Sequence, residues 1–422
     1  MEIEIQKLVY PGKSFSTYNG KVLFTDEGLP GETVEIKTVK EKNTYIEAIT
    51  LNILNASNKR VEPLCPHYKT CSPYQYMDYS YQLLIKETQI KEIFAHNLKI
   101  ELKDFKIKQS RKIWGYRNKL RLHLLWKNDT AYLAYHSLQA HNEFVPISEC
   151  HLASENMNKA LAFLVETINK HKLKFIEEVE IKENTLAKIL IVFFGKSSFN
   201  YKNFDKHFDE MGKKFSLEGI TYISKDRLQE TLLYGKNYIE EKIGDKTFQI
   251  GGQSFFQINI DALKLLILDM TEAIKLRGFK AVADLYCGIG TFGIIFADKA
   301  EKVLGGEILE ENIFFLKENI KINHINNYSL YKGASENIID RILKEKIDTL
   351  IIDPPRKGIG KEMCERLAEN GPKHIFYVSC DPITLARDLK TLLQKYELTA
   401  IHGYDFFPHT PHIETFSILD RK

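Results

Sequence analysis

The chain has 422 residues, which is more than one hydrophobic core usually organises and enough for two or three domains. Apolar residues make up 44% and charged residues 27%, as in soluble globular proteins, and the net charge is only +3. This charge is too small to predict a nucleic-acid partner, and no apolar run is long enough to span a membrane. Because we recognise no signal peptide and six cysteines are too few for a disulfide framework, we expect a cytoplasmic protein.

The first part of the chain predicts a small β domain. Alternating apolar and polar residues occur in four short runs separated by Gly and Pro, at residues 2–9, 21–25, 33–39 and 43–53. Short strands punctuated by turn residues are typical of a small β-barrel of the OB type, although periodicity alone does not exclude another β module. We expect this N-terminal barrel to span residues 1–55.

Residues 56–240 predict a central α+β domain, with a helix over residues 81–98. Residues 98–127 contain ten Lys or Arg and two acidic residues, interleaved with aromatic side chains such as Trp114 and Tyr116. Cations can contact phosphates and aromatic rings can stack on bases, so this segment is a candidate nucleic-acid surface. A solvated charged face explains the same pattern equally well.

Residues 241–422 predict an α/β domain of the doubly wound, Rossmann-like type, because strands and helices alternate. The predicted strands lie at residues 281–285, 303–307, 349–353, 374–379 and 399–406. Such folds bind ligands at the carboxyl ends of their strands. We therefore searched for polar and glycine-rich motifs that directly follow a predicted strand.

The first strand of this domain is followed by a glycine-rich loop, Asp284-x-x-x-Gly288-x-Gly290-x-x-Gly293. The glycine spacing alone also fits a dinucleotide-binding loop. An acidic residue before the glycines can orient an adenosyl-amino acid, and Glu307 at the end of the next strand can hold ribose hydroxyls. This arrangement favours S-adenosylmethionine over NAD.

Three further motifs carry reactive groups. Asp353 precedes two prolines, which stiffen the backbone at the end of a strand. Cys380 lies between a strand and a helix N-terminus, where we expect its pKa to be lowered and its thiolate to be nucleophilic. Glu414 follows His409 and His412 in a Pro-rich loop, where a carboxylate can act as a general base. An NAD-dependent oxidoreductase would leave Cys380 and Glu414 without a role.

With these motifs in order, the chain resembles the S-adenosylmethionine-dependent RNA uracil-5-methyltransferases that modify 23S ribosomal RNA or tRNA. The most specific stretches are Tyr377-Val-Ser-Cys-Asp-Pro-Ile-Thr-Leu-Ala-Arg-Asp388 and Phe407-Pro-His-Thr-Pro-His-Ile-Glu414. The resemblance implies that Cys380 is the nucleophile and Glu414 the general base. It also implies that Phe255, in Ser254-Phe-Phe-Gln-Ile-Asn259, stacks on the target uracil. The cofactor-binding positions that it implies are Gln257, Tyr286, Thr291, Glu307, Asn337 and Asp353.

The N-terminal barrel resembles a TRAM domain, an RNA-binding module found at the start of many family members. The matching stretches are Lys7-Leu-Val-Tyr-Pro-Gly12 and Gly28-Leu-Pro-Gly-Glu-Thr-Val34. Because ribosomal RNA enzymes carry this domain, we expect 23S rRNA as the substrate, with tRNA as the alternative. A non-catalytic RNA-binding or assembly factor is a more distant alternative, and we expect a monomer.

Many family members also hold a [4Fe-4S] cluster with four cysteines of the central domain. Cys65, Cys71 and Cys150 match three of these positions, but Tyr74 stands at the remaining one. Four thiolates are the usual ligand set for such a cluster. The resemblance therefore leaves the cluster open, and a mononuclear metal bound by the three cysteines with His67 or His151 is a lesser alternative.

Overall fold

The structure, a computed structural model, describes residues 1–136, 143–196, 208–226 and 229–422. Within these ranges the strands form a six-stranded, a seven-stranded and an eight-stranded sheet and one two-stranded hairpin. None of the helices in the described ranges is both long and apolar enough to cross a membrane.

The N-terminal sheet curls into a small barrel. Its strands are β1 (Glu2–Glu4), β2 (Lys7–Val9), β3 (Lys13–Tyr18), β4 (Lys21–Thr25), β5 (Thr33–Glu41) and β6 (Tyr45–Asn55). They are ordered β1-β5-β6-β4-β3-β2, so the two edge strands are also neighbours in the chain. Because only Ile5 and Gln6 separate them, this N-terminal stretch joins both edges of the sheet. The inward-facing residues, including Leu23 and Val34, form a core of their own.

A helical segment connects the barrel to the rest of the chain. Its elements are α1 (Tyr68–Cys71), a 3-10 turn (Pro73–Tyr76), α2 (Tyr79–Leu98) and the short strand β7 (Ile107–Lys108). Asp78 begins α2 by accepting a hydrogen bond from the backbone amide of Tyr81, and Lys99 ends it in the left-handed conformation. The sequence prediction placed the start of this helix two residues later.

The central domain is a mixed sheet covered on one face by helices. Its elements are β8 (Lys119–Lys127), β9 (Thr130–His136), β10 (Phe144–Pro146), α3 (Glu155–His171), β11 (Ile176–Glu183), β12 (Ile189–Gly195), α4 (Asp209–Phe215), β13 (Leu217–Ser224) and β14 (Glu230–Gly235). The strand order is β10-β9-β8-β11-β12-β13-β14. Apolar residues of α3 and α4 share one core with the sheet. The hairpin of β15 (Tyr238–Ile243) and β16 (Lys246–Gly251) then leads to the last domain.

The C-terminal domain is Rossmann-like, as predicted. Its elements are α5 (Ile260–Arg277), β17 (Ala281–Leu285), α6 (Thr291–Phe296), β18 (Lys302–Glu307), α7 (Glu310–Ile322), β19 (Tyr328–Lys332), α8 (Ser335–Lys344), β20 (Thr349–Ile352), α9 (Lys361–Asn370), β21 (His374–Ser379), α10 (Pro382–Leu392), β22 (Tyr396–Tyr404) and β23 (Glu414–Arg421). The strand order is β19-β18-β17-β20-β21-β23-β22-β7. The last strand, β23, was not predicted from the sequence. It inserts antiparallel between β21 and β22.

The helical segment before the central domain also packs on this sheet. Strand β7 pairs in parallel with the end of β22, with Ile107 opposite Gly403. Lys86 of α2 forms an ion pair with Asp405, and the two side chains are 2.6 Å apart and fully buried. Nζ of Lys86 also donates to the backbone oxygen of Phe407 (3.2 Å). This pair therefore fastens α2 to the loop that leads into β23.

We predict that Lys86→Met destabilises the protein by about 3 to 5 kcal/mol, because it leaves the carboxylate of Asp405 buried without its cation. Urea unfolding would measure the loss of free energy of unfolding. The control is Lys7→Met, which removes the half-exposed ion pair of Lys7 with Glu92 and is expected to cost less than about 1 kcal/mol. Equal effects of the two substitutions would contradict this prediction.

Candidate active site

The pairing of β21 with β23 brings Cys380 and Glu414 together. Ser379, the last residue of β21, lies opposite Thr415 in the antiparallel register. Cys380 is the next residue after Ser379, and Glu414 is the residue before Thr415. Because the strands are antiparallel, these two positions are also next to each other across the ladder. The two residues singled out in distant parts of the sequence therefore meet at one edge of the sheet.

Asp353 lies at the same edge, directly after β20. Ile352 pairs with Tyr377 of the parallel strand β21, so Asp353 comes close to the end of that strand. Nε2 of Gln257 donates a hydrogen bond to Oδ2 of Asp353 (3.1 Å). The sequence motifs that contain Asp353 and Gln257 are thus joined by a direct contact.

Glu414 is a buried carboxyl group with a raised pKa. The cause is burial first and the nearby carboxylate of Asp353 second, whereas the cation of Arg356 opposes the shift. Its side chain is 3% exposed. Within the described ranges, no group hydrogen bonds to its Oε1 atom. A carboxyl group with a raised pKa and a free oxygen is suited to proton transfer.

The environment of Cys380 differs from the sequence prediction. Burial, together with the carboxylates of Glu414 and Asp353, raises the pKa of its thiol to about 12. The prediction of a lowered pKa at the helix N-terminus is therefore wrong for this structure. The side chain of Asp381 already accepts the first amides of α10, and burial followed by the neighbouring carboxylates favours the neutral thiol. The cation of Arg356 acts in the opposite direction and favours the thiolate.

The two histidines of the Pro-rich loop point to different partners. His409 stacks on Trp114 with ring centroids 3.8 Å apart, and its Nδ1 contacts the amide of Gln82 (3.0 Å). Nη2 of Arg356 donates to Nε2 of His412 (3.2 Å). Burial lowers the pKa of His412 to about 4, with the cation of Arg356 as a second cause. Both rings therefore support the loop through contacts within the protein.

The glycine-rich loop after β17 is tied to the end of β18. Oε2 of Glu307 accepts the backbone amide of Gly288 (2.9 Å), and Oε1 accepts the amides of Ile308 and Leu309 (2.7 and 2.8 Å). A Cβ added at Gly288 would meet no atom within 4 Å, so the loop backbone is open on that side. The loop and the end of β18 thus form a cradle that fits an adenosyl cofactor.

Asp284 is the fourth residue of β17 and contacts α6. It is fully buried, and its Oδ2 accepts the backbone amide of Gly293 in α6 (2.8 Å). Burial raises its pKa to about 7. This hydrogen bond therefore joins the end of β17 to the first turn of α6, across the glycine-rich loop.

The remaining predicted cofactor positions lie around this loop. Tyr286 directly follows β17 and has a left-handed backbone (φ 60°). Thr291 is the first residue of α6. Asn337 lies in the first turn of α8, and its side chain is exposed. All three follow the carboxyl end of a parallel strand, which is the ligand-binding edge of this fold.

The segment after β16, which carries Phe255 and Gln257, is held in place by the central domain. Nζ of the buried Lys182 donates to the backbone oxygens of Gly251 (2.6 Å) and Ser254 (3.0 Å). This lysine was not identified from the sequence. A lone Lys in a strand carries no recognisable signal until the segment that it contacts is known.

Two neighbouring residues of the central domain complete this support. Nδ2 of Asn118 donates to the backbone oxygen of Gln257 (2.9 Å), and Nζ of Lys119 lies 5.7 Å from the ring centroid of Phe255. The ring of Phe255 is 59% exposed. An exposed aromatic ring beside a cation is the arrangement that stacking of a nucleic-acid base requires.

The basic segment 98–127 has a mixed role. Several of its cations are engaged by acidic side chains of the protein, in the pairs Lys106–Glu87, Lys108–Asp269 and Arg121–Glu178. These cations stabilise the fold, in agreement with the alternative explanation of the charge pattern. The prediction of a nucleic-acid surface therefore depends on the other cations, such as Lys119.

The three predicted cluster cysteines line one small cavity, together with His67 and Tyr135. The hydroxyl of Tyr135 donates to Sγ of Cys150 (3.6 Å). The cavity measures about 10 Å³, which is about the space that one water molecule needs. Within the described ranges, no three His, Cys, Asp or Glu side chains are placed to hold a metal ion.

Tyr74, at the missing cysteine position, lies outside this cavity. Its side chain is fully buried, and its hydroxyl accepts a hydrogen bond from Nε2 of Gln89 (3.0 Å). The ring therefore packs against α2 and supplies no fourth ligand. The residues present do not fit the [4Fe-4S] cluster or the mononuclear metal that the sequence left open.

Comparison with known proteins agrees with this geometry. The sequence profile of the tRNA (uracil-5-)-methyltransferase family matches residues 78–422. An RNA methyltransferase of Clostridium tetani is 31% identical over 430 residues, which cover 97% of this chain and 93% of the relative. An RNA methyltransferase of Oceanobacillus iheyensis is 30% identical and covers 100% of this chain and 96% of the relative.

A solved structure extends the similarity to the whole fold. The tRNA (uracil-54, C5)-methyltransferase of Pyrococcus abyssi, in complex with S-adenosyl-L-homocysteine, superposes with a TM-score of 0.77 and 26% identity. The superposition covers 99% of both chains. The family profile, the curated relatives and the cofactor cradle lead to one conclusion. The chain belongs to the tRNA (uracil-5-)-methyltransferase family of S-adenosylmethionine-dependent RNA methyltransferases.

Proposed function

We propose that the protein methylates carbon 5 of a specific uridine in RNA through a covalent intermediate on Cys380. The observation that carries this proposal is the register of β21 and β23, which sets a thiol beside a buried carboxyl group at the ligand-binding edge of the sheet. A nucleophile and a base side by side are what addition to a pyrimidine ring and removal of its proton require.

Carbon 5 of uracil is a weak nucleophile, so it must first be activated. The Cys380 thiolate adds to carbon 6, and the electrons of the 5,6 double bond move to carbon 5 and the carbonyl oxygen as an enolate. S-adenosylmethionine held beside the glycine-rich loop would supply the electrophilic methyl group to carbon 5, and its sulfonium–methyl bond would break to leave S-adenosyl-L-homocysteine. Glu414 then takes the proton of carbon 5, the double bond re-forms, and the thiolate leaves carbon 6. Covalent catalysis thus divides one difficult step into easier ones.

The other predicted residues act as supports in this proposal. Tyr286, Thr291, Glu307 and Asn337 surround the cofactor, and Gln257 with Asp353 lies between the cofactor and the base. Phe255 stacks on the extruded uracil, because the target base must leave its stack before it can react. The exposure of its ring and the cation of Lys119 beside it support this role.

The substrate RNA is proposed to be 23S rRNA, with the N-terminal barrel acting as a TRAM-type RNA-binding module. A specific observation favours tRNA as the second candidate. The Pyrococcus abyssi enzyme, which acts on uracil 54 of tRNA, matches 99% of this chain and so shares the region of the barrel. The barrel alone therefore does not distinguish the two RNA classes.

We predict that Cys380→Ala abolishes methyl transfer and leaves the affinity for S-adenosylmethionine within about twofold, because the thiol acts only on the base. Methyl transfer from labelled cofactor and calorimetric titration measure the two effects. The matched control is Cys364→Ala, which removes a buried thiol from α9 of the same domain and is expected to retain activity. Loss of cofactor binding in Cys380→Ala would instead assign this thiol a structural role.

Glu414→Gln is expected to stop the reaction after the methyl group has been transferred. The amide cannot take the proton of carbon 5, so the bond between Sγ of Cys380 and carbon 6 persists. A protein–RNA adduct that survives a denaturing gel would show this intermediate. The adduct should be absent when Cys380→Ala is combined with Glu414→Gln, and an adduct in the double variant would contradict the proposed nucleophile.

We predict that Arg356→Gln shifts the rising limb of the kcat profile to higher pH, by about one pH unit. The guanidinium lowers the pKa of the Cys380 thiol, so its removal raises that pKa and leaves less thiolate at a given pH. Rates measured from pH 6 to 10 test the shift. Lys357→Gln removes a neighbouring exposed cation and is expected to leave the profile unchanged. A profile that moves to lower pH would contradict the electrostatic role of Arg356.

The substrate class can be identified by nucleoside mass spectrometry of RNA from a strain that lacks this protein. We expect 5-methyluridine to disappear from one position of 23S rRNA and to remain in tRNA. Loss from tRNA would select the second candidate. If 5-methyluridine is unchanged in both RNA classes and the purified protein also fails to methylate unmodified transcripts of either class, the proposed reaction is wrong.

A further inference from the structure

The N-terminal barrel touches the loop that carries Cys380. The hydroxyl of Tyr10 donates a hydrogen bond to Oδ2 of Asp381, at 3.2 Å. Oδ1 of the same carboxylate accepts the backbone amides of Ile383 and Thr384 at the start of α10. One oxygen of Asp381 is thus bound by the first turn of the helix and the other by the barrel. Cys380 is the residue directly before this doubly anchored carboxylate.

This hydrogen bond belongs to a closely packed interface. A Cβ added to Gly12 would lie 3.1 Å from Cβ of Pro411 and 3.1 Å from the ring of Tyr74. Nε2 of Gln89 in α2 donates to the backbone oxygen of Leu8 (3.2 Å), and Leu8 shares a buried apolar cluster with Tyr74. The barrel therefore lies against both the Pro-rich loop before β23 and α2, and a side chain at Gly12 would press on its neighbours.

The electrostatics around Tyr10 keep its hydroxyl a proton donor. Burial and the carboxylate of Asp381 raise the pKa of its phenol. The charges of Arg356 and Cys380 also act on this phenol, in opposite directions. The hydroxyl is thus close enough to the reactive groups for its own ionisation to depend on them.

We propose that Tyr10 is a positioning residue for Cys380, so that the barrel completes the active site. The bond to Asp381 holds the turn between β21 and α10 in the orientation that presents the thiol to carbon 6 of the base. Without the hydrogen bond from Tyr10, Asp381 keeps its hydrogen bonds to the first turn of α10. The backbone around Cys380 can then move more freely, and the thiol is held less firmly. This inference rests on the proposed role of Cys380 as the nucleophile.

The test is Tyr10→Phe in the full-length protein, which removes the hydroxyl and keeps the ring. The probe is the RNA class that loses 5-methyluridine in the deletion strain, transcribed with 5-fluorouridine, so that carbon 5 carries no proton to remove and the bond between Sγ of Cys380 and carbon 6 persists. We expect kcat on the same RNA with ordinary uridine, and the single-turnover rate of adduct formation on the 5-fluorouridine RNA, to fall about five- to tenfold, the loss that one typical hydrogen bond can produce. The KM for RNA, the affinity for S-adenosylmethionine and the melting temperature should stay unchanged.

Tyr18→Phe is the matched control, because Tyr18 is an exposed tyrosine of the same barrel, on β3. It should behave as the wild type in every measurement. Unchanged kcat and adduct rate in Tyr10→Phe would overturn the proposal. A parallel loss of melting temperature and RNA affinity would also overturn it, because it would show a structural contact only. If the wild-type protein methylates RNA and forms no adduct, the proposed function itself fails, and that result is separate from any effect of Tyr10→Phe.

Discussion

The arrangement of the active site depends on the insertion of the last strand, β23, between β21 and β22. This antiparallel insertion sets Thr415 opposite Ser379 and thereby brings Glu414 beside Cys380. It also places Glu414 near Asp353, so that two carboxyl groups and a thiol lie close together, with the cation of Arg356 nearby. Such crowding of acidic groups is costly for stability. Proteins keep costly arrangements of this kind where the chemistry requires them.

The loop before β23 is held from outside its own domain. Helix α2 contributes the buried ion pair of Lys86 with Asp405 and the contacts of Gln82 with His409, and the segment before β8 contributes the stacking ring of Trp114. Support of this kind restricts the position of Glu414, the proposed general base, which directly follows this loop in the chain. Helix α2 and the segment before β8 thus contact the loop that precedes Glu414 from outside the C-terminal domain.

The central cysteines and Tyr74 face different parts of the structure. The three thiols still converge, and Tyr135 satisfies the sulfur of Cys150. Tyr74 turns toward Gln89 and the barrel instead of the thiols, and its ring fills space beside Gly12. The ring of Tyr74 thus packs between α2 and the barrel.

The sequence by itself determined the α/β class of the C-terminal domain, its strand-end motifs and most of the N-terminal strands, because hydrophobic periodicity and turn residues are local properties. It also singled out Cys380 and Glu414 as candidate site residues, through motifs that resemble a known family. Only the tertiary structure decided that the Cys380 thiol has a raised pKa, because this depends on burial first and on carboxylates that are remote in sequence second. It alone also showed the contact of Tyr10 with the catalytic loop and the burial of Lys86 against its partner. A tyrosine or lysine has no distinctive local pattern, and its role depends on which distant segment the folded chain brings to it.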